Sequence, residues 1–449
     1  MAAAASQRLT TDIGDLDGSR KYAYVVWTIG AGLVFAAACA VVVFRPPPGA
    51  VVLVLLTGAV MRAIAFVPPP LLSTDVYRYV WDGRVQGAGI NPYQYVPADP
   101  ALAALRDDGA GTARTGPAST GTARTGPGST GTARTGTARI GPAAIYPNIN
   151  RADYALTIYP PVAQALFALV DRVWPGVWGI KAAMLAFDLA AMGAVLLLLR
   201  AAGLPPIRVL LYAWNPLVVW EFGGGAHIDA AALGLSAWAL LAAIRLRPAW
   251  AGALLAGAVL CKLLPAAIAP ALWRPRTWRM PLTGLAVVAM GYTAYASAGW
   301  KMLGFLPGYA AEEGLTGSGV LLLRLWPDGP PGWAPGAYAG AGLLALAALA
   351  LSKLRRPAQP RAMAADALWL TAATMAVLSP HYPWYLTALA VPFAIAPRFT
   401  GLWLMIAAPL LYLDPDHDMV LWPALLFVPA LATLATDLSR RPKPEIADV

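Results

Sequence analysis

Residues 226–265 read AHIDAAALGLSAWALLAAIRLRPAWAGALLAGAVLCKLLP. Two apolar runs, 226–245 and 250–261, are joined by Arg245-Leu-Arg247, with His227 and Asp229 at the far end of the first and Lys262 just past the second. A bilayer core is crossed by roughly 20 apolar residues in a helix, and basic residues collect on its cytoplasmic side. The arginine connection therefore reads as internal, and the ionisable ends as external. The second run falls short of a full span and is interrupted by Lys262 and Pro265, so it reads as a broken helix or hairpin, a form tolerated where the chain lines a cavity or packs in protein.

The same pattern continues in both directions. Further apolar blocks occupy 23–44, 50–67, 178–199, 206–221, 263–273, 281–299, 333–352, 363–379, 382–397, 400–413 and 419–436. Of the 449 residues, 58% are hydrophobic and only 12% charged, whereas soluble domains are about 25% charged. A soluble domain and a disordered chain are both excluded. The fold class is an all-α polytopic membrane protein, a bundle of about 12–13 transmembrane helices. The formal charge of +10 resides at segment ends, which implies membrane orientation and no nucleic-acid partner. Cys39 and Cys261 lie in separate apolar segments and form no metal or redox motif.

The blocks divide the chain into an N-terminal tail (1–22), first membrane helices (23–67), an external loop (68–177), a central membrane core (178–299), a second external loop (300–332), C-terminal membrane helices (333–436) and a cytoplasmic tail (437–449). Within the first loop, 109–141 holds a repeat, GTARTGPAST, GTARTGPGST, GTARTGTARI. Its composition cannot bury a core, and it reads as a flexible insertion from tandem duplication.

Several polar constellations fall on the external side. If 75–86 is helical, Asp75, Arg78, Tyr79 and Asp82 share a face. A carboxylate at the headgroup boundary can serve as a general base with a raised pKa. The plainer reading is an interfacial helix whose Asp–Arg pairs are solvated, and these residues alone favour it. Tyr159, before Pro160-Pro161 and a helix at 161–174, can hydrogen-bond a substrate or sit in an aromatic belt. Glu221, His227 and Asp229 meet at the junction of two apolar segments, where ionisable groups are expensive and imply function or an interhelical network. One histidine with two carboxylates is a poor metal set. Lys262 suits a phosphate near the headgroups. Ser379-Pro-His381-Tyr382-Pro-Trp384-Tyr385 places a histidine among rings that can bind phosphate or sugar hydroxyls, although a lone histidine is more often structural. Asp414-Pro-Asp416-His417-Asp418 reads as a solvated acidic loop.

In this order, the Asp75–Tyr93 stretch with Asn91-Pro92-Tyr93, Tyr159-Pro-Pro161, Asn215-Pro216 through His227-Ile-Asp229, Lys262-Leu-Leu-Pro265 and Ser379-Pro-His381-Tyr-Pro-Trp-Tyr385 resemble the GT-C superfamily of integral-membrane glycosyltransferases. They look closest to bacterial polyprenol-phosphate-mannose-dependent mannosyltransferases. The repeat departs from the family pattern. The resemblance implies an inverting transfer of a hexose, mannose by analogy, from a polyprenyl-phosphate sugar to a glycolipid or glycan acceptor among the membrane lipids. The site would face outward from the bacterial cytoplasmic membrane. By the same analogy Asp75 is the catalytic base, and Lys262, His381 and Arg78 hold the donor phosphate. Tyr159, His227, Asp229, Glu221, Tyr382 and Trp384 would contact substrate. Cationic side chains can carry the phosphate charge, so neither a metal nor another cofactor is expected. A flippase or transporter of lipid-linked glycan would show inverted repeats, which are not visible. A polysaccharide polymerase or ligase would centre on a large loop between later helices.

Because no motif lies within the repeat, deleting 111–139 should leave the purified protein monodisperse, with its thermal midpoint and transfer rate nearly unchanged.

Overall fold

The computed structural model describes residues 18–106, 144–274, 276–312, 319–326, 328–354, 356, 358–414 and 419–439. The repeat and the acidic stretch 415–418 lie outside them. Among the described residues every regular element is helical, as apolar blocks without strand alternation require. The principal helices are α1 (Gly18–Phe44), α2 (Val51–Phe66), α3 (Asp75–Gly87), α4 (Pro161–Val173), α5 (Val177–Ala201), α6 (Asp229–Ile244), α7 (Pro248–Val259) and α8 (Arg279–Thr293). They continue with the short α9 (Leu306–Glu312), then α10 (Ala334–Leu354), α11 (Pro360–Leu378), α12 (Phe399–Ala407) and α13 (Leu421–Ser439). Among the described residues four helices are long and apolar enough to cross a membrane: Lys21–Phe44 within α1, α5, α10 and α11. Others, including α2, α6 and α7, are shorter apolar helices.

The shortfall has local causes. The block at 206–221 breaks into Pro206–Val209, Leu210–Ala213, Pro216–Val218 and a π-helical turn at Val219–Gly224. Pro216 cannot continue the preceding helix, and the Asn215 carboxamide oxygen accepts the N–H groups of Leu217 and Val218, capping the new start. The run after α7 likewise breaks at Lys262, with a 3₁₀ turn, Leu264–Ile268, beginning before Pro265. The 206–224 pieces are packed in protein, with Leu210, Leu211, Tyr212 and Ala213 all buried, whereas Leu263, after α7, is exposed.

Small residues set the closest packing, as in membranes where approach replaces hydrophobic drive. A Cβ on Gly252 of α7 would collide with the Met280 carbonyl oxygen. One on Gly83 of α3 would stand 2.6 Å from that of Phe167 in α4. Buried ions tie more distant elements. Arg62 of α2 pairs with Asp188 of α5, which also accepts from the Tyr212 hydroxyl, while Arg62 donates to the Ala213 carbonyl. Lys181, fully buried, donates to the carbonyls of Pro68 and Gly224.

Arg274, Lys353 and Arg356 surround the buried Asp366 carboxylate, and Arg361 donates to the Ala202 carbonyl. These contacts tie the chain near 202, 274 and 353–366 together.

Removing one partner of a buried pair leaves the other uncompensated and costs about 3–5 kcal/mol, whereas an apolar replacement of both is close to neutral. Arg62→Met or Asp188→Leu alone should lower the thermal midpoint sharply in detergent. The double replacement should recover much of the loss.

Candidate active site

Helix α3 begins at Asp75, whose backbone N–H donates to the Ser73 hydroxyl. All of Val76 to Gly83 is buried. The Arg78–Asp82 pair is therefore not solvated, which corrects the plain interfacial reading of this helix. Asp82 accepts from Arg78 Nε at 2.9 Å, from the Thr157 hydroxyl at 2.6 Å and from Gln164 Nε2 at 2.8 Å. This network binds α3 to the segment 155–164 and fixes Tyr159 opposite Asp75. Tyr79 stacks on Phe167 and meets Tyr159 edge-on, and its hydroxyl accepts the Ile228 N–H. That last bond draws the 226–229 junction to α3.

The result is a cleft of about 900 Å³ lined by Asp75, Arg78, Asn150, Arg151, Tyr159 and Trp384, among others. Beside it runs an apolar groove of about 1170 Å³ that includes Leu263, Leu303, Leu306 and Met375, with Lys262 in its wall. Tyr159 and Tyr309 line both spaces. Lys262 Nζ lies 2.7 Å from Asp229 Oδ2 and 3.9 Å from the centre of the Tyr385 ring.

His227 stands behind Asp75, buried, with Nδ1 3.8 Å from Asp75 Oδ2 and Nε2 3.3 Å from Glu221 Oε2. Neither ring nitrogen makes a hydrogen bond of normal geometry. The ring stacks on Trp384 at 4.0 Å, and Trp384 stacks on Tyr382 at 4.5 Å. Glu221 accepts from the Tyr412 hydroxyl. Asp75, Tyr159, Glu221, His227, Asp229, Lys262, Tyr382 and Trp384 are thus brought together from five separated stretches.

Two expected phosphate ligands are placed otherwise. Arg78 lines the cleft, but its guanidinium is engaged by Asp82 and the Ala155 carbonyl. His381 is buried and lines neither space; its Nε2 lies 2.9 Å from Arg324 Nη2 and 2.9 Å from the Gly319 carbonyl oxygen. Arg324 also pairs with the buried Asp414, so Asp414 is not part of a solvated loop.

Sequence reading passed over Asn150, Arg151, Tyr309 and Glu312. Asn150 Nδ2 donates to Asp75 Oδ1 at 3.3 Å, and Arg151 pairs with Glu312 across the cleft rim. The polar run Asn148-Ile-Asn150-Arg151 before Tyr159 was the available signal. Three non-glycine residues with positive φ border the site: Arg151 (56°), Ala226 (57°) and Ser379 (44°). Such backbone strain persists where the surroundings over-determine it, commonly at functional sites.

Burial raises the Asp75 pKa above the ordinary carboxylate value, while Lys262, the Asn150 hydrogen bond and Arg151 pull it back down. Among the described residues no group of three His, Cys, Asp or Glu side chains is arranged to hold a metal ion. The chemistry offered is a part-buried carboxylate beside an aromatic, hydroxyl-lined cleft, with a cation at the edge of an apolar groove.

Residues 155–274 match the family described as "Alpha-(1->6)-mannopyranosyltransferase, N-terminal domain". The match supports the resemblance to a GT-C-like mannosyltransferase. It spans Tyr159, Glu221, His227, Asp229 and Lys262. No curated protein and no solved structure matches the chain.

The Asp75 carboxyl should stay protonated to higher pH than an exposed one. Its infrared carboxyl band, identified by its loss in Asp75→Asn, should disappear with a midpoint above the usual aspartate value. Lys262→Met removes a cation that favours the ionised form, so it should move that midpoint higher still.

Proposed function

Starting from that family match, we propose that the protein is an inverting glycosyltransferase. It moves mannose from a polyprenyl-phosphate sugar to a glycolipid or glycan acceptor, at the outer face of a bacterial cytoplasmic membrane. The observation that carries this reading is the adjacency of the polar Asp75 cleft and the apolar groove, with Lys262 in the groove wall and Tyr159 and Tyr309 between them. An amphipathic donor needs that division: a sugar in the cleft, a hydrocarbon chain in the groove and a phosphate near Lys262.

In this mechanism Asp75 takes the proton of the acceptor hydroxyl as its oxygen attacks the anomeric carbon from the face opposite the phosphate. The anomeric C–O bond breaks, its electron pair stays on the phosphate oxygen, and the configuration inverts. The leaving phosphate is of low basicity and needs charge stabilisation rather than protonation. Lys262 provides it, oriented by Asp229 and the Tyr385 ring, and no metal is required. Asp229 is the less suitable base because its carboxylate is already held by Lys262 at 2.7 Å. Asn150 donates to Asp75 Oδ1, and the Tyr159 hydroxyl also hydrogen-bonds the carboxylate, so the base is held in a fixed orientation toward the cleft. Rings of Trp384, Tyr382 and Tyr159 suit the C–H faces and hydroxyls of a hexose.

Purified enzyme given radiolabelled polyprenyl-phosphate mannose and a membrane glycan extract should form labelled product, and GDP-mannose should not replace the lipid donor. Asp75→Asn should keep donor binding and lose transfer by roughly 10²–10⁴-fold. Lys262→Ala should weaken donor binding by about 1.5–3 kcal/mol. Normal turnover in Asp75→Asn together with none in folded Asp229→Asn would reassign the base.

A further inference from the structure

The groove wall supplies Lys262 for a phosphate, but its charge is matched by Asp229. Arg78 is consumed by Asp82, and His381 faces elsewhere. The donor phosphate is a diester with one negative charge. A second charge develops on it as the anomeric C–O bond breaks and it becomes a monoester, and Lys262, already matched by Asp229, cannot answer both. Arg151 is the other cation of the cleft wall.

We propose that Arg151 is a second seat for the donor phosphate, occupied at rest by the Glu312 carboxylate, and that the incoming phosphate displaces Glu312. This deepens the lipid-monophosphate reading above and rests on it. Arg151 Nε meets Glu312 Oε2 at 2.6 Å, with side chains 25% and 29% exposed. A pair so open to water contributes little to stability and is cheap to exchange, unlike the buried pairs of Arg62 or Arg78. A guanidinium fork matches phosphate geometry better than a single ammonium does. Arg151 is held in position by a left-handed backbone, φ 56°, and its guanidinium lies 5.7 Å from the centre of the Tyr309 ring.

Glu312 is the last residue of α9, and Tyr154 donates its hydroxyl to the other carboxylate oxygen. One turn earlier Tyr309 lines both cleft and groove and shares a hydrogen bond with the Tyr385 hydroxyl. Exchange at Arg151 therefore leaves the end of the helix that stands between the two compartments held at Glu312 by Tyr154 alone. Donor binding would be coupled to opening of the cleft rim, where an acceptor must approach Asp75.

The test is binding of farnesyl phosphate to the full-length protein in detergent by calorimetry, with farnesol and inorganic phosphate as controls. Arg151→Gln should weaken farnesyl phosphate about tenfold, the worth of one charge-assisted hydrogen bond, and leave farnesol unchanged. Arg151→Lys should recover part of the loss. Glu312→Gln should tighten farnesyl phosphate several-fold, and that gain should vanish in the Arg151→Gln background. If Glu312→Gln weakens binding as Arg151→Gln does, or if farnesol falls equally, the pair is merely structural and the proposal is overturned. Equal affinity for inorganic phosphate with the same Arg151 dependence would also overturn it, by assigning the seat to free phosphate. Binding that depends on Lys262 but not Arg151 would sink this inference alone. Wild-type protein that prefers farnesyl phosphate no more than farnesol would remove the lipid-monophosphate reading as well.

Discussion

The Asp82 carboxylate, buried and accepting from Arg78, Thr157 and Gln164, holds together α3 and the 155–164 segment, the two walls that carry Asp75 and Tyr159. A buried charge persists when it is paired and its remaining lone pairs are satisfied. Three donors from α3, the loop before Tyr159 and α4 meet that condition. The network extends through Gln86, which donates to the Gln164 side chain and accepts from the Tyr295 hydroxyl. Asp75, one end of α3, and Tyr159, two residues past Thr157, face one cleft because this core leaves α3 and the 155–164 segment no other register.

The bilayer imposes the second constraint. Irregular backbone at membrane depth needs partners within the protein, so chain breaks gather where they can satisfy one another. Lys181 does this directly, bridging the carbonyl of Pro68, just before α3, and that of Gly224, in the π-helical turn before His227. Its ammonium brings together the two segments that carry Asp75 and His227. The same economy of partners explains the three-ring stack of His227, Trp384 and Tyr382, which covers buried imidazole nitrogens lacking hydrogen bonds.

The charges around the cleft then separate by burial. Arg62–Asp188 and Arg78–Asp82 lie out of water and act as fixed struts. Lys262–Asp229 is part-buried, and Arg151–Glu312 stands at the rim. Exchange with an external anion becomes easier along that series, because an exposed pair loses little when it opens and a buried one leaves a desolvated charge behind. Cations that flank a cleft beside an apolar groove suit an amphipathic phosphate.

The sequence by itself determined the all-helical membrane class, because apolar blocks of this length admit no soluble alternative. It also marked Glu221, His227, Asp229 and Lys262, since an ionisable residue at the edge of an apolar block carries a cost that needs a reason, whereas Asp75 stood out only through the resemblance. It located the break at Lys262–Pro265 from proline chemistry, but not the one at Asn215-Pro216, inside a block read as continuous over 206–221. The i,i+4 spacing of Arg78 and Asp82 was equally visible. Whether that pair was solvated or buried was not, because α4 supplies the cover from about eighty residues away. Only the tertiary structure took His381 out of the cleft by giving it Arg324 and Gly319, and only it joined Arg151 to Glu312 and Arg62 to Asp188. Spacing along a chain fixes neighbours within one helix. Partners more than a hundred residues apart are chosen by which helices pack and at what depth, and in a membrane protein that choice decides which charges are struts and which remain open to substrate.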